Sequence, residues 1–131
     1  MAILEYSGVG VTALSACVPQ KIINNLEYTQ YFSKEDVSNI VEKVGIYERR
    51  FVSEGVCSSD LCFAAAEKLI NDNQIKRDEI ELLIFISQTP DYRMPATSIL
   101  LQHRLKLSKN TMAFDISLGC SGFLYGLSVA Y

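Results

Sequence analysis

The chain has no tryptophan, a single histidine and only three prolines in 131 residues. One histidine leaves no His-rich metal cluster to assemble, and Cys57 and Cys62, five positions apart, match no usual zinc spacing. Basic residues are not in excess. Twelve Lys and Arg against fifteen Asp and Glu give a net charge of −3, so the electrostatic footprint of a nucleic-acid binder is missing. The short clusters Lys76-Arg77 and Glu48-Arg49-Arg50 read as solvated faces. The longest aliphatic and aromatic run, Leu82-Leu83-Ile84-Phe85-Ile86, falls far short of the roughly 20 residues that a membrane helix needs. Residues 1–10 carry neither a positive n-region nor an apolar h-region, so no export is expected. No repeat, linker or low-complexity stretch interrupts the chain.

What remains is an ordinary globular composition, 49% hydrophobic and 21% charged. A single domain over residues 1–131 is the default, and a chain of this length can bury about two-thirds of its unfolded surface. The four cysteines, Cys17, Cys57, Cys62 and Cys120, are widely spaced and are expected to be reduced thiols in a cytoplasmic protein.

Cys120 stands out by its context. It lies in Ser117-Leu118-Gly119-Cys120-Ser121-Gly122-Phe123, after the apolar strand pattern Thr111–Ile116 and before a helical pattern through Leu124, Leu127 and Val129. A helix starting at or near Cys120 would turn unpaired N–H groups and the positive end of its dipole toward the thiol, favouring the thiolate. The small residues Gly119, Ser121 and Gly122 are expected to leave room for a substrate thioester. Such a setting suits a nucleophile that forms a covalent intermediate. The plainer reading is a buried, inert core cysteine.

Elsewhere, strand and helix patterns alternate. Residues from about Ile3 to Val18 read as a strand region with a bend, and Pro19-Gln20-Lys21 as a turn. Asn24-Asn25 caps a short helix through Tyr31, and Ser33 caps a second that ends at Gly45. A short strand follows over Tyr47–Val52. The next helix is capped by Ser58 or Ser59 and runs to about Asp72, and Arg77–Ile80 forms a helical turn at most. Leu82–Ser87, apolar on both faces, is expected to be a central strand with helices on either side. A loop over Gln88–Pro95 leads to a helix from Ala96 to about Lys106. This order predicts an α/β layered domain.

Four stretches then carry a resemblance: Val44-Gly45-Ile46-Tyr47-Glu48-Arg49-Arg50, Gln88 to Thr97, Ala113-Phe114-Asp115-Ile116, and Gly119-Cys120-Ser121-Gly122-Phe123-Leu124-Tyr125-Gly126-Leu127. In that order and spacing the chain resembles the N-terminal half of the 3-oxoacyl-[acyl-carrier-protein] synthase III family, condensing enzymes of the thiolase superfamily. The resemblance implies a thiolase-like fold of two similar halves, each a mixed sheet flanked by helices. It makes this chain the first half, cut within the helix that carries the nucleophile. It implies that Cys120 takes an acyl group from an acyl-coenzyme A thioester. Malonyl-[acyl-carrier-protein] then loses carbon dioxide and condenses with that group, with no cofactor. Acyl carrier protein becomes a partner, a homodimer the expected assembly, and residues outside this chain supply the His and Asn that assist decarboxylation.

The resemblance also marks departures. Where the family carries a Trp that stacks on adenine, followed by an Arg and a Thr, this chain has Asn39, Lys43 and Val44. Stacking is lost, and Lys43 can meet a phosphate only as a point charge. Met94 stands where the family has an aromatic that reaches across the dimer to wall the partner's acyl pocket. A different acyl donor or chain length is expected. Asn39 and Lys43 also read simply as an exposed polar helix face, and Met94 as loop packing. Arg49 and Arg50 read as structural or carrier-docking residues, and His103 as a surface or interface helix residue. The competing expectation is a non-catalytic thiolase-fold module that dimerises or binds a carrier protein. Ile116, Phe123, Leu124 and Leu127 are expected to be apolar surface that the second half would cover and that drives a dimer or larger assembly.

Overall fold

A computed structural model describes residues 3–131, which form two compact units: Val18–Val56, and residues 3–17 together with Cys57–Tyr131.

In the smaller unit, β1 (Lys21–Asn24) pairs antiparallel with β2 (Glu48–Phe51), and α1 (Lys34–Val44) lies between them in sequence. The helix starts where the sequence says it should. Ser33 Oγ accepts the Asp36 N–H at 3.1 Å, and Glu35 and Asp36 occupy the electropositive first turn. It stops at Gly45, whose φ of 75° is left-handed and whose N–H reaches Val41 O at 2.8 Å. Val37 and Val41, one turn apart, are its buried face. The short helix expected through Tyr31 is only a 3-10 turn over Asn25–Glu27, with Asn24 Oδ1 accepting the Leu26 N–H. Asn25 is instead used tertiarily, its side chain donating to Ile46 O at 2.9 Å. Arg49 lies over the rings of Tyr28 and Phe51, at 4.4 and 5.2 Å, and Arg50 Nη1 donates to Pro19 O. Both arginines therefore make contacts inside this unit.

In the larger unit, β3 (Leu82–Ile86) and β4 (Met112–Ile116) pair in parallel, from Leu82 opposite Met112 to Ile86 opposite Ile116. Three helices pack with them: α2 (Ser58–Asp72), α3 (Thr97–Arg104) and α4 (Gly122–Ala130). Alternate residues of β3 serve opposite faces, as a strand's period of two requires. Leu83 and Phe85 join the core of Ile70, Leu101 and Leu105 contributed by α2, α3 and the residue just after α3. Leu82, Ile84 and Ile86 face Phe123, Gly126 and Leu127 of α4. The α/β class and the helices on both faces of β3 follow the sequence reading.

Three local expectations are corrected. Residues 3–18 form no strand. Ile3, Leu4, Val9, Val11 and Leu14 are exposed, and without a neighbouring ladder the backbone has nothing to pair with. Tyr6 anchors this segment by donating to Ser128 O at 2.7 Å and stacking edge-on against Tyr131. β3 is not central, since β4 is its one strand partner among the described residues. Cys57, not Ser58 or Ser59, caps α2, because Asp60 reaches back to accept the Cys57 N–H at 2.9 Å. That releases both serines for another task.

Candidate active site

Cys120 sits on the turn Ser117–Ser121 that joins β4 to α4, and it is exposed. The turn is closed at each end by backbone bonds: Leu118 N–H to Ile116 O at 3.1 Å and Gly122 N–H to Gly119 O at 2.8 Å. The helix begins later than expected. Ser121 is its N-cap and Gly122 its first residue, so Cys120 stands one position ahead of the cap rather than inside the first turn. A thiol there lies at the amino end of α4 and open to solvent, which argues against the inert core reading.

At Gly122 and Gly126 the missing side chain is used for packing. A Cβ on Gly122 would stand 2.7 Å from Ile86 Cγ2, and one on Gly126 would stand 2.3 Å from Ile86 Cδ1. At both positions α4 rests directly on the Ile86 side chain, most tightly constrained at Gly122, where the contact is the branched Cγ2. At Gly119 the Cβ site is filled by the carboxamide of Gln88, with Cδ, Nε2 and Oε1 all 2.8–2.9 Å away.

Gln88 begins the loop Gln88–Pro95, and that loop is tied down by three hydrogen bonds to α2 and α3. Ser58 Oγ donates to Thr89 O at 3.2 Å, and Ser59 Oγ donates to the Asp91 carboxylate. The Asp91 N–H donates to Thr97 Oγ1 at 3.3 Å. Ser59 is buried and also lies 3.4 Å from Arg104 Nη1, which in turn belongs to an ion pair with Asp60 at 2.8 Å. The Cys57 amide, and secondarily Arg104, hold the Asp60 carboxyl below the usual carboxylate range. Nearby, desolvation, then the Asp91 charge and Cys17, push the Cys62 thiol up from its ordinary value.

Asp115 is the second anchor. From β4 its two carboxylate oxygens accept the Thr97 and Ser98 N–H groups, each at 2.8 Å. Thr97 and Ser98 are fully buried, and no side chain of α3 caps its own start. The carboxylate thus satisfies two buried donors that would otherwise be orphaned. Within this unit the strand that leads to Cys120, the helix α3 and the Gln88 loop are locked together by Asp115, Thr97 and Asp91.

The other expected site residues fall in both units. Met94 projects from the loop with 88% of its surface exposed. Asn39 and Lys43 are exposed and one turn apart on α1, in the unit Val18–Val56, whereas Cys120 and Met94 belong to the other. His103 is exposed in the last turn of α3. Sequence reasoning passed over Gln88 and Asp115 as individual residues. An Asp inside an otherwise apolar strand was a usable signal, since a carboxylate there needs donors.

No family model matches the chain. The beta-ketoacyl-[acyl-carrier-protein] synthase III of Koribacter versatilis (strain Ellin345) is 38% identical over 120 residues, covering 90% of this chain and 35% of that protein. That of Aliarcobacter butzleri (strain RM4018) is 41% identical over 119 residues, with the same coverage. The crystal structure of a 3-oxoacyl-(acyl-carrier protein) synthase from Burkholderia xenovorans LB400 superposes with a TM-score of 0.84 at 38% identity, over 89% of this chain and 34% of that one. The chain thus spans 35% of the length of the curated relatives it matches. In sequence and in fold it is a homologue of the N-terminal part of the beta-ketoacyl-[acyl-carrier-protein] synthase III proteins, with their thiolase-like α/β architecture.

Proposed function

We propose that this chain is the nucleophile-bearing part of a cytoplasmic 3-oxoacyl-[acyl-carrier-protein] synthase III-like acyltransferase of fatty acid or related biosynthesis. One observation carries the reading. In a homologue of such synthases, a solvent-open thiol, Cys120, precedes the amino end of α4 on a turn fixed by its own backbone bonds.

The chemistry runs in two steps. Cys120 Sγ attacks the carbonyl carbon of an acyl-coenzyme A, a new thioester bond forms, and the coenzyme A sulfur leaves and takes up the thiol proton. Malonyl-[acyl-carrier-protein] then loses carbon dioxide. Its carbanion attacks the acyl-Cys120 carbonyl, releasing the 3-oxoacyl carrier and regenerating the thiol. The Cys120 amide makes no hydrogen bond to the protein among the described residues and so can face the developing oxyanion. No cofactor is required by this scheme. In this reading the family's second oxyanion donor, its His and its Asn come from outside residues 1–131, so these residues alone are expected to be inactive in condensation.

Asn39 and Lys43 offer an exposed polar face to the acyl donor, with Lys43 as the phosphate contact. Met94 supports a homodimer in which it helps wall the partner's acyl pocket, and its flexibility favours an acyl chain other than acetyl. Phe123, Leu124 and Val129, exposed along α4, are apolar surface that favours association.

The decisive experiment is incubation with acyl thioesters of short, branched and long chains, followed by mass spectrometry. An acyl adduct on Cys120 that disappears in Cys120→Ser supports the reading. No adduct from any donor leaves the non-catalytic module.

A further inference from the structure

We propose that Gln88 is a substrate-positioning residue for acyl transfer, its side-chain amide donating a hydrogen bond from Nε2 to the carbonyl oxygen of the thioester that Cys120 attacks. The inference rests on the proposed acylation of Cys120 and goes beyond it by naming the group that orients the donor.

Topology brings the two residues together. β3 and β4 are parallel and end in register, Ile86 beside Ile116, and the Ser87 N–H extends the ladder by bonding Ile116 O at 3.2 Å. The chain therefore leaves both strands at the same edge, two residues before Gln88 and three before Gly119. Open α/β sheets bind ligands outside the carboxyl ends of their strands. At that edge the Gln88 carboxamide fills the space beside Gly119, the residue before Cys120. Absence of a side chain at Gly119 is what admits it.

The amide is also available. Gln88 is exposed, and among the described residues its Nε2 and Oε1 join no hydrogen bond, although its neighbours Ser87, Thr89 and Asp91 all do. Its backbone is steadied by the Ser58 and Ser59 contacts to the loop. A carboxamide beside Gly119 with both functions unused can direct a carbonyl toward the neighbouring residue's sulfur, and orientation of this kind is worth a large rate factor.

Because the groups that meet a Gly119 Cβ are the free end of the Gln88 side chain, Gly119→Ala displaces that amide without breaking the fold. It should therefore imitate loss of the amide. The test measures acyl transfer to Cys120 from a saturated acyl-coenzyme A, together with alkylation of Cys120 by iodoacetamide, which needs no carbonyl to be oriented. Gln88→Ala is expected to lower the second-order rate constant for acylation about tenfold, the weight of one hydrogen bond. Alkylation and the thermal midpoint should stay unchanged. Gln88→Glu, which keeps the shape and removes the donor, should be equally impaired. Gly119→Ala should match Gln88→Ala, and the double variant should lose nothing more. Wild-type acylation in Gln88→Ala, full activity in Gln88→Glu, multiplied losses in the double variant, or an equal fall in alkylation would each overturn the inference while leaving Cys120 acylation intact. If the unchanged protein forms no Cys120 adduct with any thioester, the functional reading fails and takes the inference with it.

Discussion

Asp115, on the strand that leads to Cys120, accepts the Thr97 backbone N–H at 2.8 Å and so joins that strand to the first residue of α3. Its other oxygen takes the Ser98 N–H. Asp115→Asn replaces one acceptor by an NH₂ group that faces a buried donor. Unfolding in urea should show a loss of about 1–3 kcal/mol. A variant as stable as the parent would mean that α3 finds its cap elsewhere.

The hydrophobic core makes a second prediction. Leu105 is 2% exposed and packs within the cluster of Ile70, Phe85 and Leu101. Leu105→Ala should cost about 2–5 kcal/mol, set by how far the neighbours collapse into the space. Cys120→Ser, at an exposed turn, should stay within about 0.5 kcal/mol of the parent while abolishing the acyl adduct. Paired denaturation curves separate a structural from a chemical loss.

The helix–sheet contact distinguishes two similar glycines. Gly122→Ala collides with Ile86 Cγ2, which moves only if χ1 turns, and should cost about 1–3 kcal/mol. Gly126→Ala meets Cδ1, which can swing away, and alanine returns up to about 1 kcal/mol of helix propensity. Ile86→Val removes Cδ1 alone. It should relieve the second variant and leave the first unaltered, as denaturant midpoints would record.

Two titrations should be visible. Asp60 has its carboxyl lowered by the Cys57 amide and then by Arg104, so its folded-state value lies below the unfolded one. The stability it adds is complete above the usual carboxylate range near pH 4 and is lost as the pH falls through the lowered value. Melting temperatures followed downward from pH 5 should fall less in Asp60→Asn than in the parent. Cys62 is shifted the opposite way, mainly by desolvation. At pH 8 its alkylation should be slower in the native state than in urea, which peptide mapping would show.

Much of this was legible in the sequence because the signals were local. Ser33 and Gly45 bracket α1 through their own side chain and backbone, and the apolar run Leu82–Ile86 is a strand with helices on both faces. The placement of Cys120 on a turn between a strand and a helix was legible from the patterns on either side of it. The misses are tertiary. Residues 3–18 have strand-like composition, but pairing depends on a partner that local pattern does not specify. Gly122 reads as space when met in a sequence and proves to be contact once Ile86 is placed beneath it. The same holds for Gly119, whose meaning depends on Gln88, 31 positions earlier.

Ile86 keys into α4 at two notches a single helical turn apart, one for each branch of its side chain. A rod seated on a two-pronged hydrocarbon key is hindered both from rolling about its axis and from slipping along it. The sulfur borne just ahead of that rod consequently takes its bearing from an aliphatic residue that performs no chemistry, and trimming that residue would blur the aim without touching a polar atom.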